Sequence, residues 1–257
     1  MKRYLTYVVA AAFLAAASAV SGVAAHHQCV DAPDWKYCGE HVDASDLPLS
    51  FRLNLDTRPA GISVRAFENA ASASAETWNM AWPRKTSTGC LPLCIASQST
   101  QKTVAAPDGV NAIFWSSGTS CAPHGSDPVA VACIWYAGSS GAARHRIIDV
   151  DIVLNANRSW TQVGPEALAG DVVWAFPGTG SGYDLQSVLT HELGHALGLE
   201  DLGATDPDRR FPASLAEAVP YEQTMYRWYY AGSTNKRTLA EGDIAGLAYI
   251  AATTIGS

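Results

Sequence analysis

The stretch that most constrains this chain is His191-Glu192-Leu193-Gly194-His195-Ala196-Leu197-Gly198-Leu199-Glu200-Asp201. With Tyr183 to Thr190 before it, the pattern predicts an amphipathic helix with Asp184 as N-cap and Gly198 as the glycine just past its end. At about 100° per residue, Leu185, Leu189, Leu193 and Ala196 share an apolar face, while His191 and His195, one turn apart, project together from another. Two imidazoles so placed can hold one metal ion. Glu192 lies beside them at the wrong height to be an equivalent ligand, which leaves it free to hold a metal-bound water as general base. Any fold for this chain must therefore bury one face of this helix and keep the other available to an ion.

A catalytic zinc site takes three protein ligands and keeps a fourth position open. No histidine follows His195. Asp201 is the third candidate, because a glycine at 198 permits a left-handed exit that turns the chain back on the helix. Glu200, adjacent and equally able to offer an oxygen, is the rival. The pattern His-Glu-x-x-His-x-x-Gly-x-x-Asp resembles the zinc signature of the metzincins, in its less common variant with Asp as last ligand. A carboxylate in that place leaves zinc a weaker Lewis acid than a third imidazole would. By chance the full pattern arises in roughly a few chains of this length in a hundred thousand.

The chain opens Met1-Lys2-Arg3, runs through an apolar stretch to about Val20 and reaches Val23-Ala24-Ala25, the pattern of a signal peptide cleaved after Ala25. An uncleaved anchor is the alternative. Removing residues 1–25 from a chain of 257 leaves 232, enough for one domain with a sizeable core, and because Lys2 and Arg3 go too the formal charge moves from −7 to −9. That acidity argues against nucleic acid or anionic lipid as partner. Six cysteines in an exported chain predict disulfides. Of fifteen pairings, the local couples Cys29–Cys38, Cys90–Cys94 and Cys121–Cys133 are favoured. A latency switch through Cys38, of the kind matrixin-type metzincins use, is disfavoured by Lys36-Tyr37-Cys38-Gly39-Glu40, which lacks Pro-Arg before the cysteine.

Taken in order, residues 26–50 form a polar N-terminal segment with one cysteine couple. Residues 51–253 hold the rest. Phe51 to Leu55 alternates as a half-buried strand. A helix follows, with Phe67, Ala70, Ala71, Ala75 and Trp78 on one face and its end at Trp82-Pro83. Lys85 to Asp108 is rich in turn-forming residues and reads as a surface loop pinned by Cys90 and Cys94. Three strands are predicted at Val110–Trp115, Val129–Tyr136 and Ile147–Asn155, and Asp171–Phe176 is a shorter candidate. In Ile147–Asn155, Ile148, Val150, Ile152 and Leu154 alternate with Asp149, Asp151, Val153 and Asn155. Those carboxylates suit a structural Ca2+, although a solvated strand face is the commoner use of such residues. His124, Asp127 and His145 are a weaker candidate for a second zinc.

The resemblance to secreted, matrixin-like metzincins extends over about Phe51 to Ile250, through the strand-helix start, Asp151-Ile152-Val153-Leu154-Asn155, the zinc helix, Thr224-Met225-Tyr226 and a closing helix near Leu239–Ile250. It implies an α/β (α+β) fold: a twisted five-stranded mixed sheet with one antiparallel edge strand, the active-site helix and a C-terminal helix. It further implies catalytic Zn2+ on His191, His195 and Asp201, Glu192 as general base, and a methionine turn at Met225 beneath the metal. The expected activity is that of a secreted, monomeric zinc endopeptidase taking polypeptide extended along the edge strand, Val129 to Tyr136. Tyr226, Trp228, Tyr229 and Tyr230 are candidates for the wall of its specificity pocket, or for ordinary core packing. A non-catalytic zinc-binding protein of the same fold and a zinc amidase acting on cell-wall peptide are the alternatives.

Overall fold

The computed structural model describes residues 5–9, 30–31, 36–37, 40–83, 90–118, 121, 128–137, 145–161, 182–203 and 223–255. The elements, in chain order, are β1 (Leu5–Val9), β2 (Val30–Asp31), β3 (Lys36–Tyr37), β4 (Leu49–Leu53), α1 (Val64–Ala81), β5 (Leu93–Ile95), β6 (Ala112–Ser116), β7 (Ala130–Ala137), β8 (Arg146–Asn155), β9 (Trp160–Thr161), β10 (Tyr183–Asp184), α2 (Leu185–Ala196) and α3 (Glu241–Ile255). The protein is α/β. Five strands form a mixed sheet in the order β7-β8-β6-β4-β5, and β1 lies outside β7. From β8 to β5 all neighbours are parallel, whereas β7 runs antiparallel to β8 and β1 antiparallel to β7. The candidate strand Asp171–Phe176 lies outside the described residues. No described helix is long and apolar enough to cross a membrane.

The centre of the sheet is apolar on both faces, as a largely parallel sheet requires. On one face Phe51, Ile113, Ile152 and Leu154 pack with Phe67 and Trp78 of α1 and with Leu189 and Leu193 of α2. On the other, Ala112, Phe114, Val131, Cys133 and Val153 form a smaller cluster. α1 is capped by Ser63, whose side chain accepts from Ala66 N at 3.2 Å, and it buries Phe67, Ala71, Ser74, Ala75 and Trp78. Ala70, expected on that face, is half-buried at its margin. A register shift where β8 passes Trp135 and Tyr136 brings Ile147 onto the helix-side core, so Ile148 falls to the opposite cluster rather than beside Val150. Strict alternation could not foresee that bulge.

Two expectations for the loop after α1 change. The predicted surface loop contains β5, which pairs in parallel with β4 and is fastened to α1 by Asn79: its amide donates to Leu93 O at 2.8 Å and its Oδ1 accepts from Leu93 N at 2.9 Å. Three residues are too few to show a period. The same loop also carries Lys102 into the protein, where its Nζ lies 2.8 Å from Asp151 Oδ2 and bonds Ala106 O and Val110 O, each at 2.9 Å. Asp151 accepts further bonds from Ala106 N and Ala112 N, and Asp149 accepts from Gly109 N. The charged face of β8 is thus buried, at 2% exposure for Asp149 and 0% for Asp151, and is met by an internal ammonium and loop amides.

Cys90–Cys94 and Cys121–Cys133 are disulfide-bonded as expected, and Cys29–Cys38 lies outside the described residues. These bridges accord with an oxidising, non-cytoplasmic setting.

Burial raises the Asp151 carboxyl to about 7 despite Lys102 beside it. Replacing Lys102 by Met is expected to cost about 3 kcal/mol, the scale for leaving one partner of a buried pair alone. The sign with pH follows from that raised value. A carboxyl held above its unfolded pKa contributes stability in acid and loses it as pH rises from about 4 towards 7 and beyond. Urea unfolding of Lys102→Met should therefore show a larger deficit at pH 8 than at pH 5, and Asp151→Asn in the same chain should remove that difference.

Candidate metal centre

α2 begins where Asp184 caps it, its side chain accepting from Ser187 N at 2.9 Å. The same carboxylate is gripped by Arg237, with Nε to Oδ1 at 2.8 Å and NH2 to Oδ2 at 2.6 Å. Every residue of α2 except Gln186 is buried. The helix is therefore apolar towards the sheet and polar but enclosed elsewhere, not half-exposed. α1 supports it through polar contacts as well as apolar ones: Trp78 Nε1 donates to Thr190 O at 2.7 Å and Ser74 Oγ to Gln186 O at 3.0 Å.

Past the helix, Gly198 adopts φ +101°, a conformation that an L side chain resists, and Gly198 N donates to His195 O. The chain then runs as a strip held on both sides. Leu199 bridges Tyr37, and Glu200 N donates to Lys36 O at 3.0 Å. On the other side Leu202 N donates to Met225 O at 2.8 Å and Arg227 N to Leu202 O at 3.0 Å. This double clamp returns Asp201 to the histidines. Its Oδ1 lies 3.2 Å from His191 Nε2 and 3.5 Å from His195 Nε2, and the two Nε2 atoms are 3.1 Å apart.

The protonation pattern points the same way. His191 Nδ1 faces Thr224 O at 2.6 Å, with Lys236 Nζ 3.2 Å away, and His195 Nδ1 faces Leu199 O at 2.7 Å; the short approach of each to a carbonyl assigns the ring hydrogen to Nδ1. With both rings neutral, as metal binding requires, lone pairs at both Nε2 atoms converge with Asp201 Oδ1, a buried oxygen that accepts no hydrogen bond. Three such lone pairs repel unless a positive charge lies among them, which a proton on His195 supplies without metal and a metal ion would supply in its place. Among the described residues His191, His195 and Asp201 are the one His/Cys/Asp/Glu group arranged to hold a metal ion. The neighbouring Glu200 is not part of it.

Electrostatics separate the charged residues by role. Burial and the nearby Lys236 ammonium push His191 down to about 3, while Asp201 outweighs burial at His195 and raises it to about 9. Burial alone would raise Asp201, but the two imidazoles hold its carboxyl well below the usual range. Glu192, fully buried, is raised to about 7 by burial. Its Oε1 accepts from the Tyr229 hydroxyl at 2.7 Å, and its Oε2 has no partner.

Met225 is buried with its thioether against Gly194, where any Cβ would collide with the sulfur and with the Trp78 ring. Gly194, an unremarked position inside the motif, is thus what lets the methionine turn approach the helix. That turn is held from behind by Asp243 of α3, which accepts from Thr224 N at 2.7 Å, Met225 N at 3.1 Å and Ala240 N at 2.9 Å. Lys236 is buried beside it, donating to Thr224 O at 3.0 Å and to Tyr226 O, with Nζ 4.7 Å from the Tyr229 ring centre. Of the four aromatic candidates, Tyr229 and Tyr230 line a small recess with Ser187 and Asn235, and Tyr226 is buried against Gly203. Trp228 is half-buried outside that recess. For the second zinc set, His124 and Asp127 lie outside the described residues, while His145 stacks edge-on to Tyr136.

Sequence reasoning did not foresee Gly194, Arg227, Lys236 or Asp243 at the site. Each acts across at least a dozen residues or through a backbone contact, and a single sequence carries no local signal for either. Compared with known proteins, the chain matches no family model and no curated protein.

If Asp201 completes the centre, Asp201→Ala should lose most of the bound metal while Glu200→Ala keeps it, measured by elemental analysis after dialysis against zinc. Zinc should raise the melting temperature of the wild type and of Glu200→Ala only, and the gain should fade as acid protonates the histidines.

Proposed function

We propose that this protein is an exported zinc endopeptidase of the metzincin type. The observation that carries the reading is the convergence of two Nε2 lone pairs and one carboxylate oxygen beside a buried glutamate with a free oxygen. Two imidazoles and a carboxylate suit zinc better than calcium or magnesium, and three protein ligands are the number a catalytic zinc site uses. The leader-like start and the disulfides support export. The mixed sheet with its antiparallel strands on one side, the helix bearing the ligands and the methionine packed against that helix support the reading.

A zinc ion held by His191, His195 and Asp201 would supply the Lewis acid, polarising a scissile carbonyl and making a water more acidic. Glu192 would act as proton acceptor through Oε2, since Oε1 is already committed to Tyr229. A carboxyl raised to about 7 by burial can both accept a proton and give it to a leaving amine near neutral pH. Tyr229 keeps the carboxylate in one orientation, and burial of the surrounding side chains excludes other water.

The substrate would lie along β7. In the full chain the outer edge of β7 pairs with β1, from Leu5 opposite Tyr136 to Val9 opposite Ala132. That pairing supports the edge as an acceptor of an extended, antiparallel peptide. Cleavage after Ala25 would remove β1 and bare the same backbone groups.

Glu192→Gln should retain metal but lower hydrolysis of an unstructured polypeptide at least about a hundredfold, the scale of a lost general base. A chelator should abolish wild-type turnover. Metal-loaded wild-type protein that leaves a diverse peptide library uncut while releasing cell-wall peptide would favour the amidase instead, and inertness towards both would favour a binding protein.

A further inference from the structure

We infer that Arg227 is a positioning residue for the metal centre, holding Asp201 as a one-oxygen ligand and offsetting the charge that an aspartate ligand brings. The inference rests on the zinc reading above and concerns one feature of it, the use of aspartate where a neutral imidazole would make a stronger Lewis acid.

Asp201 has two oxygens with different surroundings. Oδ1 faces the two histidines, whereas Oδ2 lies 3.4 Å from Arg227 NH2. Both residues are buried, Asp201 at 7% exposure and Arg227 at 8%. Arg227 is placed by its backbone, through the bond from its N–H to Leu202 O and the bridge between Leu202 and Tyr226, so the strip that delivers Asp201 also delivers its cation. The guanidinium's Nε and NH1 atoms are buried and donate to nothing, and its charge is also felt by the neighbouring Glu200 carboxyl. Burying a permanent charge with two donors unmet is costly, and Asp201 is the carboxylate with which it forms an ion pair.

Two consequences follow for an ion on Oδ1. A carboxylate whose second oxygen faces a guanidinium cannot readily swing to chelate with both oxygens, so the fourth position stays open. Electron density drawn towards the guanidinium also makes Oδ1 a weaker donor, which returns Lewis acidity to the metal. Partners behind a ligand commonly change metal affinity by about 10–100-fold when removed.

The test compares Arg227→Gln in two backgrounds, the native chain and Asp201→His, with zinc affinity read by competition against a chelator and coordination read from the visible spectrum of the Co2+-loaded protein. In the native background Arg227→Gln should tighten zinc binding, by up to about 10–100-fold, as Oδ1 becomes the stronger donor and Oδ2 is freed to chelate. The cobalt bands should weaken towards a five-coordinate pattern as the carboxylate chelates. In the Asp201→His background the same substitution should change neither, because an imidazole has no second oxygen to hold. Arg227→Lys, which keeps the stem and one charged donor, should restore the four-coordinate spectrum in part, and it carries the same comparison if the Gln variant does not fold. Equal effects in both backgrounds would mean that Arg227 only packs, overturning the inference while leaving the zinc reading intact. A native protein that binds no metal would overturn both.

Discussion

The whole site depends on one arrangement of lone pairs. Two imidazoles fixed as Nδ1–H donors by the carbonyls of Thr224 and Leu199 have no choice but to aim their Nε2 atoms inward, and Asp201 aims a bare oxygen at the same point. Without metal a proton on His195 balances the Asp201 carboxylate, and a metal ion would have to displace that proton. The surrounding structure supplies rigidity from four directions. α1 holds α2 through Trp78 and Ser74; β3 and the turn at Met225 hold the strip bearing Asp201; Arg237 fixes the start of α2 through Asp184; and Asp243 fixes the turn itself. A site so constrained gains little from relaxing when empty, which favours binding of an ion over collapse.

Much of this was legible in the sequence because it rests on short-range rules. The helix, its Asp184 cap and its Gly198 exit all follow from spacing and backbone chemistry within a few residues, and each stands where those rules put it. The strands at β6, β7 and β8 were visible for the same reason, being runs of apolar and β-branched residues between turn formers. What could not be read depends on pairing at a distance. β5 has three residues and exists because Asn79 and β4 supply its partners. From sequence the carboxylates on β8 fitted a solvated strand face first and calcium second, and only the path of the loop that delivers Lys102 shows what meets them. The tyrosines after Met225 likewise read as one group, yet Tyr229 reaches Glu192 and Tyr226 fills a gap beside Gly203.

The polar residues inside the lower part of the molecule share a logic. Asp184 with Arg237, and Asp243 with three backbone amides, are buried groups whose bonding capacity is met by well-placed partners. Lys236 answers the carbonyls of Thr224 and Tyr226, and its charge beside His191 favours the neutral imidazole that an ion requires. An apolar core of the same size would be at least as stable, since replacing buried ion pairs by hydrophobic residues is often neutral or better. Such a core would not hold the chain at 199–202 and 224–227 in one register. Here polarity gives position, and position is what a three-ligand centre needs.

Two carboxylates in this site, nine positions apart in the chain, are driven in opposite directions by surroundings of nearly equal burial. Asp201 faces two imidazoles and has Arg227 behind it, so ionisation is favoured and it is held as an anion. Glu192 has a neutral phenol on one oxygen and nothing on the other, so burial dominates and its proton affinity rises to about 7. An anion that resists protonation is suited to bind a metal and poorly suited to carry protons. A carboxyl balanced near neutrality is the reverse. Burial and neighbours thus drive the two carboxylates apart, one towards the anion and one towards neutrality, in the sense that the proposed roles of ligand and base require.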